Sequence, residues 1–308
     1  MLSKGQLDGM VARSSARSIA TIALEYVLIV LGVALGKYVA FPWGYGAAVL
    51  LIGTRQYALG ECMAHEASHR NLSRKTWLNE ALGIAVSWPF FFTLQGYRRF
   101  HNQLHHRIDL RDDKNSIFED YDSWGLPQNE APLGRFAACW HLIGKPLFGI
   151  IGFRHLVTTI QDFYWDSDLV ENAMMLGFWV LIALFAVHFD LQVDMLLYWI
   201  VPFFLVVPIL NYWSEVGDHY RVTGAATRSN LNWCLNALVA HNIGYHGLHH
   251  HRPAIPWFQL RRAYPFFRSE LQEQVSTGYW VTFRQIMAEE RRLRCKEPGR
   301  TVSRWTVP

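Results

Sequence analysis

Charge is scarce in this chain. Lys, Arg, Asp and Glu make up 18% of its 308 residues, where a soluble domain carries about 25%. Hydrophobic residues reach 51% and aromatics 15%. That balance argues against an ordinary soluble surface and points to a membrane protein. The excess of cation over anion is small, a net +4, so no nucleic-acid partner is expected. Basic residues at a membrane surface account for it more simply. Cysteine is scarce too. Cys62, Cys139, Cys234 and Cys295 are far apart and form no Cys-x-x-Cys pair. They make neither a disulfide framework nor an iron–sulfur run, which leaves reduced thiols. There is no internal repeat, no low-complexity tract and no linker between domains. The start, "MLSKGQLDGMVARSSARS", is polar over too long a stretch for a secretory signal.

Long apolar runs are what the chain has instead. Residues 19–41 are long enough to cross roughly 30 Å of hydrocarbon at about 1.5 Å per residue. The chain turns at Pro42, and residues 45–63 run back, with Arg55, Gln56 and Glu61 in the second half. Polar groups inside a span are costly and tend to face an interior. Residues 169–189 and 195–212 give a third and a fourth span, the last with Pro202 and Pro208 as expected kinks. Four spans place both termini on one side. The turns at Pro42 and at Asp190–Asp194 contain no Lys or Arg. Arg13, Arg17, Arg70, Arg74, Lys75, Arg98, Arg99 and the segment "EERRLRCKEPGR" crowd the other side, which the positive-inside rule makes cytoplasmic. Residues 81–92 are apolar but short for a span, and fit a re-entrant, interfacial or buried stretch. Residues 136–164, rich in aromatics, Gly and cations, read as one or two helices in the interface. The expectation is an all-α integral membrane protein: a cytoplasmic amino-terminal segment (1–18), a membrane domain (19–270) with a helical cytoplasmic cap, and a basic cytoplasmic tail (271–308).

Histidine is the unusual residue, with 14 copies. They cluster on the side read as cytoplasmic: His65 and His69; His101, His105 and His106; His219; and His246, His249 and His250, with His241 and His251 alongside. His141, His155 and His188 stand apart and read as ordinary histidines. Residues at i and i+4 share a helix face, so His65 and His69 can point one way. His101 and His105 repeat that spacing, and His246, His249 and His250 make an i, i+3, i+4 set. Each segment thus offers two or three imidazoles to a common centre. Neutral imidazole suits iron, zinc, copper and nickel.

His65-Glu66-Ala67-Ser68-His69 also matches the H-E-x-x-H signature of zinc peptidases, in which Glu66 would be the general base. One catalytic zinc takes three protein ligands, which leaves most of the clustered histidines idle. Two metals would use them all, and Glu66 would then support a ligating imidazole by a hydrogen bond.

The three segments together resemble the histidine boxes HxxxH, HxxxHH and HxxHH of the membrane fatty-acid desaturase and hydroxylase family. Their order, their placement and the pair of spans between the second and third boxes all match. The stretch "TRSNLNWCLNALVAHNIGYHGLHHHRPAIPWFQL" is similar to the family pattern of Arg with Ser or Thr followed by N-x-x-Y-H-x-x-H-H-x-x-P-x-x-P-x-x-x-L, with Arg228, Asn242, Tyr245, Pro253, Pro256 and Leu260 falling on it. His219 matches an extra family histidine after the fourth span. The resemblance covers roughly residues 45–260. It implies two Fe2+ ions held by His65, His69, His101, His105, His106, His219, His246, His249 and His250. It also implies O2 as co-substrate, and a separate electron donor of the ferredoxin or cytochrome b5 type, for which the basic cytoplasmic face is the expected dock. The family sometimes holds an iron-bound water with Asn four residues before the extra histidine; here that residue is Glu215, with Asn211 one turn further back.

Glu66, Glu215, Asp218 and Asn242 are candidates to support the ligands. Asp109, Asp112 and Asp113 read as solvated loop charges. Trp88, Phe90, Phe91, Phe92 and Trp213 are candidate lining for an alkyl slot, and Arg98, Arg99 and Arg228 are candidate anchors for an anionic headgroup or carrier. The expected activity is O2-dependent desaturation of an alkyl chain, most simply a fatty-acyl lipid, by successive hydrogen abstraction. A hydroxylase, a carotenoid oxygenase or a decarboxylating alkene former would use the same site; a membrane zinc peptidase on His65, Glu66 and His69 is the alternative of a different class.

Overall fold

Among the described residues, three helical stretches are apolar and long enough to cross a membrane: Gly5–Tyr38, Leu169–His188 and Gln192–His219. The computed structural model describes residues 4–108, 110, 112, 114–128, 131–159 and 168–296. Asp109 and Asp113, residues 160–164 of the expected interfacial stretch and the end of the tail from 297 lie outside the described residues.

The chain begins with α1 (Lys4–Met10) and α2 (Ser15–Tyr38). Ser14 caps α2, its hydroxyl accepting from Arg17 N. The returning run is helical from α3 (Trp43–Tyr57) through a π-helical segment (Ala58–Met63) to α4 (Ala64–Ser68). It carries Arg55, Gln56 and Glu61 and is not among the three apolar stretches. Close approach fixes its packing. A Cβ on Gly53 would lie 2.4 Å from Val206, so glycine lets this helix press against its partner.

α5 (Thr76–Ala85), a 3₁₀ turn at Trp88–Phe90 and α6 (Leu94–Arg99) follow. The short apolar stretch 81–92 is therefore core, with Val86, Phe90 and Phe92 buried. Glu171 holds it down. Its carboxylate accepts from Trp88 Nε1 (3.1 Å), Leu94 N (2.8 Å) and Gln95 N (3.0 Å). A second π-helical segment spans Phe100–His105. Beyond it lie α7 (Ser116–Trp124), α8 (Arg135–Cys139), α9 (Lys145–Leu147) and α10 (Ile150–Thr159). Phe136, Phe148 and Phe153 are exposed there, as an interfacial stretch requires.

Asp168 caps α11 (Leu169–His188), which exposes Leu181, Leu184 and Phe185. α12 (Gln192–Met195), a π-helical segment (Leu196–Ile200) and α13 (Val201–His219) form one continuous run. Pro202 sits in the first turn after the π segment and Pro208 inside α13, where a missing N–H removes a helical bond.

The all-α expectation has one exception. β1 (Thr227–Asn230) pairs in parallel with β2 (Glu273–Ser276), Arg228 opposite Gln274. Neither "TRSN" nor "EQVS" shows the alternation of a half-buried strand, so nothing in the sequence marked the pair. Between them lie α14 (Trp233–Leu238), α15 (His246–His251) and α16 (Trp257–Phe267). α17 (Tyr279–Lys296) closes the described chain. Residue 270 marks no break in packing. Ile286 of α17 is buried with Tyr212 and Val216 of α13, and fully buried Glu290 pairs with Arg221 at 2.7 Å.

Candidate metal centre

The clustered histidines sit at helix ends. α4 carries His65 and leads to His69, the second π segment carries His101 and His105, α13 ends on His219, and α15 begins at His246. Buried amides fix these segments. Asn79 accepts from Leu72 N (3.2 Å) and donates to Ala67 O (3.0 Å), holding the turn after His69. Asn71 donates to Pro253 O at 2.9 Å, tying that turn to the segment after His251. Asn115 caps α7 and donates to His105 O and Ile108 O, both at 2.9 Å. An Asn before an amphipathic run is a readable cap; its grip on His105 was not readable.

All nine histidines singled out from the sequence come together, in two groups: His65, His69, His101, His106 and His249; and His105, His219, His246 and His250. Within each group the ligand atoms lie within 4.8 Å of one another. The Nε2 atoms converge. His69 and His101 are 3.1 Å apart, His101 and His106 3.0 Å, and His106 and His249 3.0 Å. In the second group His105 and His250 are 3.2 Å apart, and His219 and His246 2.7 Å.

The grouping corrects one expectation. His101 and His105 do not serve one centre. The π turn places a backbone bond from His106 N to His101 O, five residues apart, at 3.0 Å. Residues i and i+5 then share a side, so His101 and His106 join one group and His105 the other. α15 divides as well, His249 to one group and His246 and His250 to the other.

The donor set fits metal ions. A metal–imidazole bond of about 2.1 Å puts two ligands at right angles about 3.0 Å apart. His65 Nδ1 lies 3.6 Å from Glu66 Oε1, and His246 Nδ1 lies 3.5 Å from Asp218 Oδ2. An Nδ1 facing a carboxyl oxygen is better protonated, which turns the Nε2 lone pair inward.

Electrostatics agree. Burial pushes His65 down to about 3, and burial with the His65 charge takes His105 down to about 4. Burial, then neighbouring imidazoles, holds His69, His101, His249 and His250 well below the ordinary value. These rings are therefore neutral at pH 7, as metal ligands must be. Burial raises Glu66 to about 8, and a nearby cation would lower it again.

The supporting candidates fare differently. Glu66 is fully buried, and its Oε2 accepts from Trp257 N at 3.0 Å. It faces the Nδ1 side of His65, away from the converging nitrogens, where a peptidase base would not reach a metal-bound water. Asp218 serves His246 in the same way. Glu215 lies one turn before His219, close to Glu61, and its carboxylate is not part of the four-histidine group. Glu61 accepts from Asn211 Nδ2 at 2.6 Å. Asn242 contributes its backbone, donating to Asn236 O and accepting from Tyr245 N in the turn before α15. Asp112 is exposed and caps Lys114 N. His141 and His188 lie outside both groups.

Two proposed anchors are already engaged. Arg228 is buried and donates to the carbonyls of Gly217, Tyr220 and Arg221, closing the end of α13. Arg98 pairs with Glu80 at 2.9 Å and donates to Ala67 O and Ser68 O. The aromatic candidates pack against other aromatic rings: Phe91 stacks on Trp179 at 4.2 Å, and Trp213 meets Tyr279 at 5.8 Å.

The sequence missed one network. Arg55 Nη1 pairs with Glu25 Oε2 at 3.1 Å, its Nη2 donates to Leu238 O, and His241 Nε2 lies 3.0 Å from Glu25 Oε1. Two helices, α2 and α3, thereby grip the loop before the third box.

With this geometry in hand, the fatty acid desaturase family model matches residues 40–283. The chain belongs to the fatty acid desaturase family. It is thus a membrane enzyme of the oxidoreductase class with histidine clusters able to bind metal. This desaturase is 29% identical over 239 residues to the dihydrorhizobitoxine desaturase of Bradyrhizobium elkanii, covering 72% of this chain and 67% of that one. It is 24% identical over 281 residues to the sn-1 oleoyl-lipid 12-desaturase of Arthrospira platensis, covering 80% and 75%. Identity to the sn-1 oleoyl-lipid 12-desaturase of Synechocystis is 23% over 300 residues, covering 83% and 82%.

Proposed function

We propose that this protein is an O2-dependent di-iron desaturase that introduces a double bond into an alkyl chain, most simply a fatty-acyl lipid. The observation that carries the reading is the convergence of nine neutral imidazoles into groups of five and four. Imidazole suits iron, and the named relatives are desaturases. An unactivated C–H bond offers side chains no acid, base or electrophile to work on. The irons, when bound, supply the oxidative chemistry with O2 and two electrons. The chain's own residues hold and tune that centre. His65, His69, His101, His106 and His249 would ligate one ion, and His105, His219, His246 and His250 the other. Glu66 and Asp218 face the Nδ1 sides of His65 and His246 at 3.6 and 3.5 Å, where a carboxylate would orient a ligating ring and raise its basicity.

On this reading residues 45–63 also cross the membrane, making four spans, and the metal site and both termini face the cytoplasm. The substrate enters from the bilayer. A separate ferredoxin or cytochrome b5 type donor supplies electrons at the basic face. The test is mass spectrometry of lipids from an expressing host, paired with metal analysis of the purified protein. New alkene in the lipids, with two irons per chain, supports the proposal. A hydroxylated product would assign the same centre to oxygen insertion, and one zinc with no iron would overturn the di-iron reading.

A further inference from the structure

α15 carries one histidine, His251, that neither group uses. His251 turns outward from α15 and lies beside Glu270, Nε2 to Oε2 3.4 Å, with side-chain exposures of 34% and 54%. The pair stands on an open cleft of about 310 Å³ whose lining also includes His250, Gly247 and Glu273. The cleft joins solvent to a member of the four-histidine group. His250 and His251 are consecutive residues, so their imidazoles offer two successive stops from the surface inward.

We infer that this cleft is a metal-entry site, where His251 and Glu270 take a divalent first-row cation from solvent and pass it to His250. The inference rests on the di-iron reading. Imidazole and carboxylate are suitable ligands for such ions, and two donors hold an ion too weakly to keep it, as transfer requires. Acidic charge in a cleft also concentrates cations and speeds their arrival. Glu273 adds to the field. Its carboxylate accepts from Ser229 Oγ and Tyr264 Oη, and it packs on Gly247, where a Cβ would collide with it. The neighbouring cation Arg252 stacks over the Phe267 ring, 5.7 Å from its centroid, and makes no ion pair with Glu270 among the described contacts. A plain surface ion pair between His251 and Glu270 would leave metal uptake untouched.

The experiment uses the full chain in detergent, stripped with chelator and mixed with Co2+, followed by absorption at low ionic strength. The comparison is wild type, Glu270→Gln, His251→Ala and the double variant. The expected result is full final occupancy in every form, with uptake into the double variant slower by about tenfold. Added salt should slow the wild type and close most of that gap. Glu270→Gln alone, an isosteric change at an exposed position, should slow uptake several-fold and guards against a folding defect in the others. Equal uptake rates in wild type and double variant at full occupancy would overturn the inference while leaving the metal centre intact. A wild type that binds no Co2+ at all would overturn both.

Discussion

His106 and His249 meet Nε2 to Nε2 at 3.0 Å across 143 residues of chain. One comes from the second box and the other from the third, so the five-histidine group exists only in the folded chain. His249→Ala should therefore empty that group and leave the four-histidine group filled. Metal analysis should read about two irons per chain in the intact protein and about one in the variant, with activity lost. His188→Ala, at the exposed end of α11, is the control and should keep both irons.

Glu66 distinguishes the two chemistries that its motif suggests. Glu66→Gln keeps an acceptor for Trp257 N but loses the charge that faces His65 Nδ1. Iron affinity should fall by about 10–100-fold, with partial activity recovered at high iron. Asp218→Asn should do the same to the four-histidine group. A zinc peptidase would behave in the opposite way, keeping its metal and losing all turnover, and equilibrium metal titration of the two variants separates the cases.

The histidines set the sign of the acid response. In the metal-free fold His65 and His105 titrate near 3 and 4, below their ordinary 6.5. Between about pH 4 and 6.5 the unfolded chain binds protons that the folded chain refuses, so stability falls as the solution is acidified. Glu66, raised from 4.5 to about 8, works the other way: the folded chain holds its proton, and that contribution is lost as pH rises toward 8. Below 6.5 the histidines outnumber it. The thermal midpoint of chelator-stripped protein should thus drop steadily from pH 6.5 to pH 4.5, and a rise over that range would contradict the assignment.

Glu25 and Arg55 are a buried pair, and breaking one is costly. Glu25→Leu strands the Arg55 cation and should destabilise the protein by about 3–5 kcal/mol. Glu25→Leu with Arg55→Met removes both charges and should restore part of that loss. The single variant loses the Glu25 contact to His241 and the double loses the Arg55 bond to Leu238 O as well, so iron content should drop in the single variant and not recover in the double even where stability does. Detergent unfolding curves with parallel iron assays read both effects.

Much of this architecture was legible in the chain. The apolar runs at 19–41, 169–189 and 195–212 overlap the three stretches long enough to cross a membrane, overrunning the first by three residues and the second by one, because hydrophobic length is a local property. The nine clustered histidines were legible through their spacing. The π-helical segments were not. Box two repeats the i, i+4 spacing of box one, and only the bond from His106 N to His101 O shows that i and i+5 share a side. Arg228 looked like a free cation and proved to be the clasp on α13, since which carbonyls lie within reach depends on packing.

The sequence by itself determined the apolar stretches, the crowd of histidines and the residue types that favour a metal, all of which are set by composition and short-range spacing. The tertiary structure decided how the boxes divide into five and four, which carboxyl group faces which ring, and that Glu66 lies on the Nδ1 side of His65. The reason is physical. A metal site closes over distances of about 3 Å between groups far apart in the chain, and those distances are fixed by helix packing and buried hydrogen bonds.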